Sequence, residues 1–592
     1  MLALLAIEEK FVNQKSKTRV LKSLIDGKEF KRVADSFDIH DFNATRTEDR
    51  EALSLLALAN AKTQSYEDAV KICSVIISCL NSSRELTTIN GILLCIGECK
   101  PRTDLFEASL EILVTKFGSQ EAISISLAKL FLYLGDAERA WEVLFKVSQP
   151  LLSEWYSLAL RSLEACGYHF EIKQLILERL DKSLLTTPMA ISALKSVVIA
   201  STSRELHSLL EKILRIDPDD FSLLERVAWA YSTIGQVEKS IKLLEKAIEI
   251  GGTQDRSLAL PFYRLAVLDP RRPILTDLVK NFAIDRAPAG KKESALKHFG
   301  YAEVARVAVD LPTFFNELRA GNNLLHSPDD RKICISRYDT EFELSMELSS
   351  ALCGKGGVGQ YTGPVIFIVG LPRCGSTVVA NYIERNYVSL NLGELDSFRR
   401  IFGRWEQVAD RGDDVNVWAK LFSRRWRALV PIEREKQNSL PLLIDKSLAN
   451  FLHTDLISRM FPNCCILNLK RDFGDHVFGI YRRLFESSAL AYTSSISDIK
   501  TMMSMEEDVV RRRLVSSQKL QVVNFEKLIA NDFREIDEML ALVPGVEKRH
   551  APITTNTTAP IISTSRNQVR AQTFVKDISA KCIEEYLPEI FD

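Results

Sequence analysis

The sequence carries almost no net charge: 77 Lys plus Arg against 78 Asp plus Glu leave −1 over 592 residues. So balanced a chain has no bulk attraction for nucleic acid, so no nucleic-acid partner is expected and any anion site must be built locally. No apolar run reaches the length that spans a bilayer, and no transmembrane segment is expected. The opening Met1–Lys10 is briefly apolar but lacks a basic leader and meets Glu8 and Glu9 at once. It reads as a helix start rather than a signal peptide. HExxH and paired CxxC signatures are missing, so no metal is expected. The 11 cysteines are odd in number and scattered, with Cys464 and Cys465 adjacent. Reduced, buried thiols in a cytoplasmic protein are the expectation.

What the chain does have is length, enough for two or more domains. Residues 1–330 contain little Gly or Pro and show helical periodicity nearly throughout. In Phe221–Ile250, Leu224, Val227, Ala228 and Tyr231 fall on one helical face. Gly235 breaks the helix, and Ser240, Leu244 and Ala247 form the face of a second. Small residues at Ala228 and Ser240 let two helices approach closely. The same offsets recur at Ala128, Phe131, Gly135, Ala140, Leu144 and Val147, and more weakly at Ala57, Ala69, Cys73 and Ile76. This pattern resembles the tetratricopeptide repeat and predicts a degenerate α-helical solenoid, with an irregular helical bundle as the alternative. A stacked helical array offers a groove for a protein or peptide partner.

A linker is expected over 331–362, because Cys353–Gly363 is glycine-rich. Its GxGxxG-like spacing is no dinucleotide fingerprint, since the strand follows it instead of preceding it. That strand, Pro364–Gly370 (PVIFIVG), is a continuous apolar run of the kind found in buried parallel sheets. Leu371–Thr377 (LPRCGST) and a helical pattern come next, so 363–592 is expected to be an α/β domain with a parallel sheet flanked by helices. Strand, tight loop and helix make an anion cradle from backbone N–H groups and the helix dipole. Gly375 permits close backbone approach, Ser376 and Thr377 add hydroxyls, and Arg373 adds a charged fork. The Gly-Lys-Ser/Thr ending of a Walker A loop is absent, which disfavours a nucleotide kinase.

The run PVIFIVGLPRCGSTVVANYIE resembles the 5′-phosphosulfate loop of sulfotransferases. It is most similar to the branch holding tyrosylprotein sulfotransferases and bacterial proteins with tetratricopeptide repeats ahead of the enzyme domain. Cys374 and Ser376 replace two residues of the usual Pro-Arg-Ser-Gly-Thr-Thr loop. The resemblance implies 3′-phosphoadenosine 5′-phosphosulfate as co-substrate, a hydroxyl-bearing acceptor, and donor contacts from Arg373, Cys374, Gly375, Ser376 and Thr377. Further segments follow in family order. Asn391–Asp396 resembles the Gly-Glu-Leu segment, which makes Glu394 the implied catalytic base; a carboxylate there can take the acceptor's proton. Leu442–Leu452 resembles Asp-Lys-x-Pro-x-Asn-Phe, which gives Lys446 the sulfate-contacting role, with Leu448 in place of the proline. Phe461–Asp475 resembles the 3′-phosphate strand and turn, implying Arg471 and, one helix later, Arg483. Gly479 stands where a serine is usual, and one hydroxyl contact is lost. Val522–Leu528 resembles Val-x-Tyr-Glu-Asp-Leu and offers Phe525 to the adenine, and Ser565–Arg570 resembles the late Ser-x-x-Gln-Val-Arg motif, offering Ser565.

The implied activity is transfer of a sulfuryl group to a peptide tyrosine, a carbohydrate or a small-molecule hydroxyl, with Glu394, Arg373 and Lys446 as its catalytic residues. The competing reading is a non-catalytic interaction protein whose second domain is degenerate at Gly479, Leu448 and Phe525. Retention of Arg373, Glu394, Lys446 and Arg471 together argues for the enzyme.

Overall fold

The structure is a computed structural model. It describes residues 21–591 other than 22, 26–27, 38–41, 45, 81–85, 99–103, 135, 149, 151, 167, 202, 255, 283–289, 352–362, 395–397, 399–440, 515–518 and 551–577. The chain divides into two compact units, Met1–Ile172 and Lys173–Asp592.

In the first unit the described residues form helices joined by short turns. The small and apolar positions singled out in the sequence are buried there: Ala57, Ala69, Cys73, Ile76, Ala128, Phe131, Ala140 and Leu144. Gly135 lies outside the described residues. Ser124 donates to the carbonyl of Val143 on the next helix at 3.1 Å, a contact that only a short side chain makes at so close an approach.

The second unit opens with more helices of the same kind. Phe221–Thr233 and Val237–Thr253 pack as an antiparallel pair around the turn at Gly235, where φ is +76°. Asp220 caps the first, accepting from the Leu223 N–H at 2.7 Å. Ser240 donates to the Ala228 carbonyl at 2.7 Å, so the two small residues meet as their spacing predicts.

Three further helices, α1 (Lys291–Val307), α2 (Leu311–Leu325) and α3 (Pro328–Ala351), lead into a sheet. The sheet contains β1 (Val365–Val369), β2 (Ser389–Gly393), β3 (Leu442–Asp445), β4 (Cys464–Lys470) and β5 (Leu520–Asn524). Its order is β2-β3-β1-β4-β5, and every pairing is parallel. Helix α4 (Ser376–Asn386) follows β1, and α5 (Phe473–Tyr481) and α6 (Ile496–Leu514) lie between β4 and β5. The expected architecture, helices and then a parallel α/β sheet, is what the chain adopts.

Strand β1 explains how the helices and the sheet of the second unit are joined. Ile366 and Ile368 belong to one core with Val379, Ile383 and Leu540. Val365, Phe367 and Val369 point to the other face and share a core with Phe314, Phe315 and Leu318 of α2 and Tyr338 of α3. Polar contacts reinforce the second face. Asn322 donates to the Tyr481 carbonyl at 3.0 Å, His326 bonds the Phe485 carbonyl at 2.9 Å, and Arg331 pairs with Asp498 at 2.7 Å. Most of the linker expected over 331–362 is therefore helix through Ala351, and 352–362 lies outside the described residues. Cys334, Tyr338, Glu341, Ser345, Leu348 and Ser349 are its buried stripe. Their spacing is helical, but four of the six are polar or small, which hides the stripe from a hydropathy reading.

Candidate active site

In a parallel sheet every strand ends on the same edge, and the residue after each strand faces the same crevice. All five strand ends here are occupied by residues singled out in the sequence. β1 runs into the loop Gly370–Gly375, β2 into Glu394, β3 into Lys446, β4 into Arg471 and β5 into Phe525.

The loop is held in an uncommon conformation. Arg373 has φ +70°, a left-handed value that costs a non-glycine residue roughly 1–2 kcal/mol. Two side chains from beyond β4 pin the peptides on either side. His476 donates its Nε2 proton to the Pro372 carbonyl at 2.9 Å, and Arg471 Nη1 donates to the Arg373 carbonyl at 3.2 Å. Because a carbonyl only accepts, the bond fixes the tautomer of His476 as Nε2–H. Burial, followed by the charges of Arg471 and Lys470, pushes the pKa of His476 down to about 4. Gly375 is the N-cap of α4 with φ +103° and brings no side chain to cap it. A Cβ at this position would lie 2.2 Å from the Phe525 ring, so only glycine lets that ring pack on the loop. Ser376 and Thr377 occupy the buried first turn of α4. Cys374 sends its thiol into the apolar core, where burial pushes its pKa up to about 11. Its contribution to an anion cradle is backbone alone.

Arg373 lies among Arg471, Arg482 and Arg483. Burial first, then these neighbouring guanidinium charges, push its pKa down to about 9. Arg471 sits 5.9 Å from the Phe525 ring centroid and 3.6 Å from the Glu526 carboxylate. Arg483 Nη1 pairs at 3.2 Å with the buried Glu303 of α1. Gly479 lies between two of the arginines: a Cβ there would stand 3.7 Å from Arg373 Cβ and 3.7 Å from Arg471 Nη1.

On the other side of β1, β2 and β3 pair as far as Gly393 and Asp445, with a register shift between Asn391 and Gly393, and the Lys446 N–H donates to the Gly393 carbonyl at 2.8 Å. The following side chains are thereby brought together, and Lys446 Nζ meets Glu394 Oε1 at 2.8 Å. Asp445 faces inward and accepts from the Ser447 N–H at 2.8 Å and from Asn450 at 3.3 Å. Glu384 of α4 bonds Asn391 at 3.1 Å, and Asn391 accepts from the Gly393 N–H at 2.9 Å.

Ser565 lies outside the described residues. Several residues escaped the sequence reading: Glu303, Arg482, His476, Glu384 and Glu506. Glu506, fully buried, binds Asn468 at 2.6 Å and Lys470 at 2.7 Å. Arg482 had a local signal, its adjacency to Arg483, and Glu384 acts on Asn391 nearby; Glu303, His476 and Glu506 act across long stretches of chain. Among the described residues no group of three or more His, Cys, Asp or Glu is arranged to hold a metal ion. No helix of the described residues is long and apolar enough to cross a membrane.

The site thus lies at the carboxyl edge of an open parallel α/β sheet, with a glycine-hinged loop and a cluster of arginines. Residues 364–544 match the model of the sulfotransferase family, which supports a sulfotransferase-type C-terminal domain and sulfuryl transfer in general. No curated protein matches the chain.

Proposed function

We propose that this protein transfers the sulfuryl group of 3′-phosphoadenosine 5′-phosphosulfate to a hydroxyl acceptor. The observation that carries the reading is the gathering of Glu394, Lys446, the Arg373 loop, Arg471 and Phe525 on one edge of one sheet. A polyanionic donor fits that edge, because mutually repelling guanidinium groups there gain from an anion among them.

In this scheme the loop N–H groups, Ser376, Thr377 and Arg373 hold the phosphosulfate end. Arg471 and Arg483 serve the 3′-phosphate, and Phe525 lines the site through its contact with Gly375 and Arg471. Ser565 is assigned to the nucleotide by its motif. The bond between sulfur and the bridging oxygen breaks as the acceptor oxygen bonds sulfur. Lys446 balances the charge that grows on the bridging oxygen, and Glu394 takes the acceptor's proton. The leaving group is 3′-phosphoadenosine 5′-phosphate. Positioning and electrostatics supply the catalysis, with no metal in the scheme. The tetratricopeptide-like helices are read as the surface that recruits a protein or peptide, which favours a peptide tyrosine over carbohydrate or small-molecule hydroxyls. A cytoplasmic location accords with the scattered reduced thiols.

One observation favours the alternative, an interaction protein with a silent second domain: Lys446 and Arg483 are both engaged by carboxylates, Glu394 and Glu303. Incubation with sulfur-labelled donor and a cell extract separates the two. A labelled acceptor is expected; absence of transfer together with absence of calorimetric donor binding would leave the interaction protein.

A further inference from the structure

We propose that Glu303, supplied by the helical half, is a built-in counter-anion of the donor site, occupying Arg483 in the nucleotide-free protein and yielding to a nucleotide phosphate. The inference rests on the donor-site reading above and adds to it a residue that no motif marks. Glu303 is 6% exposed and lies on α1, 180 positions before its partner. Its Oε1 is 3.2 Å from Arg483 Nη1, and its Oε2 is 2.8 Å from Arg306 Nε. Burial acts to raise its pKa, but Arg483, Arg482 and Arg306 overcome this and hold it below the ordinary carboxylate range. Arg482 and Arg483 bear in turn on Arg373 of the loop. A line of charge therefore joins a helix of the array to the anion loop.

A carboxylate and a phosphate are the same kind of acceptor for a guanidinium fork. A buried cluster of arginines without an anion is costly, so Glu303 stabilises the empty site. A phosphate arriving at Arg483 is repelled by the same carboxylate, so Glu303 stabilises the occupied site less. By linkage, a group that favours the empty state weakens binding, and neutralising it tightens binding while lowering stability. A residue that merely props up the fold would lower stability with affinity unchanged or reduced.

The test uses the full chain, calorimetric titration with 3′-phosphoadenosine 5′-phosphate, and adenosine 5′-phosphate as the control lacking the 3′-phosphate. Glu303→Gln is expected to melt lower than the parent yet bind the bisphosphate about 10-fold more tightly. Binding of the monophosphate should change far less. Glu303→Asp, which keeps the charge, should bind like the parent. In an Arg483→Ala background, Glu303→Gln should bring no gain. Arg306→Gln leaves Glu303 its charge and removes its other partner, so bisphosphate binding should weaken. This variant carries the test if Glu303→Gln does not fold. Unchanged or weaker bisphosphate binding in folded Glu303→Gln would overturn the proposal. So would an equal gain for both nucleotides, a gain that survives in Arg483→Ala, or tighter or unchanged binding in Arg306→Gln. A parent that binds neither nucleotide would instead remove the donor-site reading, and this inference with it.

Discussion

Lys446 and Glu394 form a 2.8 Å ion pair of unequal partners, the lysine side chain 7% exposed and the carboxylate 57%. The buried ammonium is costly without a counter-charge, whereas the exposed carboxylate can leave for water at little expense. The pair suits a site in which Lys446 turns to an incoming anion and Glu394 is released to a hydroxyl.

Replacing Glu394 with Gln is expected to lower transfer by about 100- to 10,000-fold, the usual effect of losing a general base. Donor affinity should hold or rise, since Lys446 is then unopposed. Single-turnover transfer beside donor calorimetry checks both. Turnover near the parent's would remove Glu394 from the mechanism and turn attention to Asp445 and Asp396, although Asp445 is fully buried.

Gly479→Ser should fit without rearrangement, because its Cβ would meet Arg373 and Arg471 at 3.7 Å, ordinary contact distance. The added hydroxyl enters the arginine cluster and supplies the nucleotide's 3′-phosphate with one more hydrogen-bond donor. A gain of about 3- to 10-fold in 3′-phosphoadenosine 5′-phosphate affinity is expected, the worth of one hydrogen bond. Loss of affinity would show that the serine of the related motif has no counterpart here.

His476 makes stability depend on pH. The folded protein holds it at about 4 against an ordinary value of 6.5. Between those values the unfolded chain binds the proton and the folded chain does not, so stability falls as pH drops from 6.5 toward 4. The full effect is about 3 kcal/mol. His476→Gln keeps a donor for the Pro372 carbonyl and removes the titration, so its stability should be flatter across this window. Chemical denaturation at several pH values measures the slopes; parallel curves would assign the acid sensitivity to other groups.

A chain cut to 363–592 should aggregate. Val365, Phe367 and Val369 share a core with Phe314, Phe315 and Leu318, and Phe315 stacks on Tyr586 with ring centroids 4.8 Å apart. Removing α2 and α3 uncovers that face of the sheet to water, at about 25 cal/mol for each Å² of apolar surface. A chain of residues 173–592 should remain monodisperse by size exclusion and melt cooperatively. A soluble, folded 363–592 fragment would show that these helices are dispensable.

The legible parts of the site were those written into single segments. The anion loop sits between the buried strand and the helix that position it, whereas Glu394 and Lys446 were implied by family resemblance and not by a local pattern. The Ala228–Ser240 approach was legible for the same reason, two small residues a fixed helical distance apart. The helix over Pro328–Ala351 was obscured because Glu341 and Ser345 occupy its buried face. Glu341 is satisfied there by His453 at 3.1 Å, a partner 112 positions away.

The sequence by itself determined the helical first half and the parallel α/β class, because periodicity and strand-loop-helix order act over a few neighbouring residues; the residues after the other strands were implied by resemblance. Only the tertiary structure decided what covers β1 and which charges meet. The apolar face of β1 takes its cover from helices that precede it. Arg483 finds Glu303, and His476 finds the Pro372 carbonyl, because parallel strands bring distant segments to one edge, and the pairing of buried charges depends on that edge rather than on nearness in sequence.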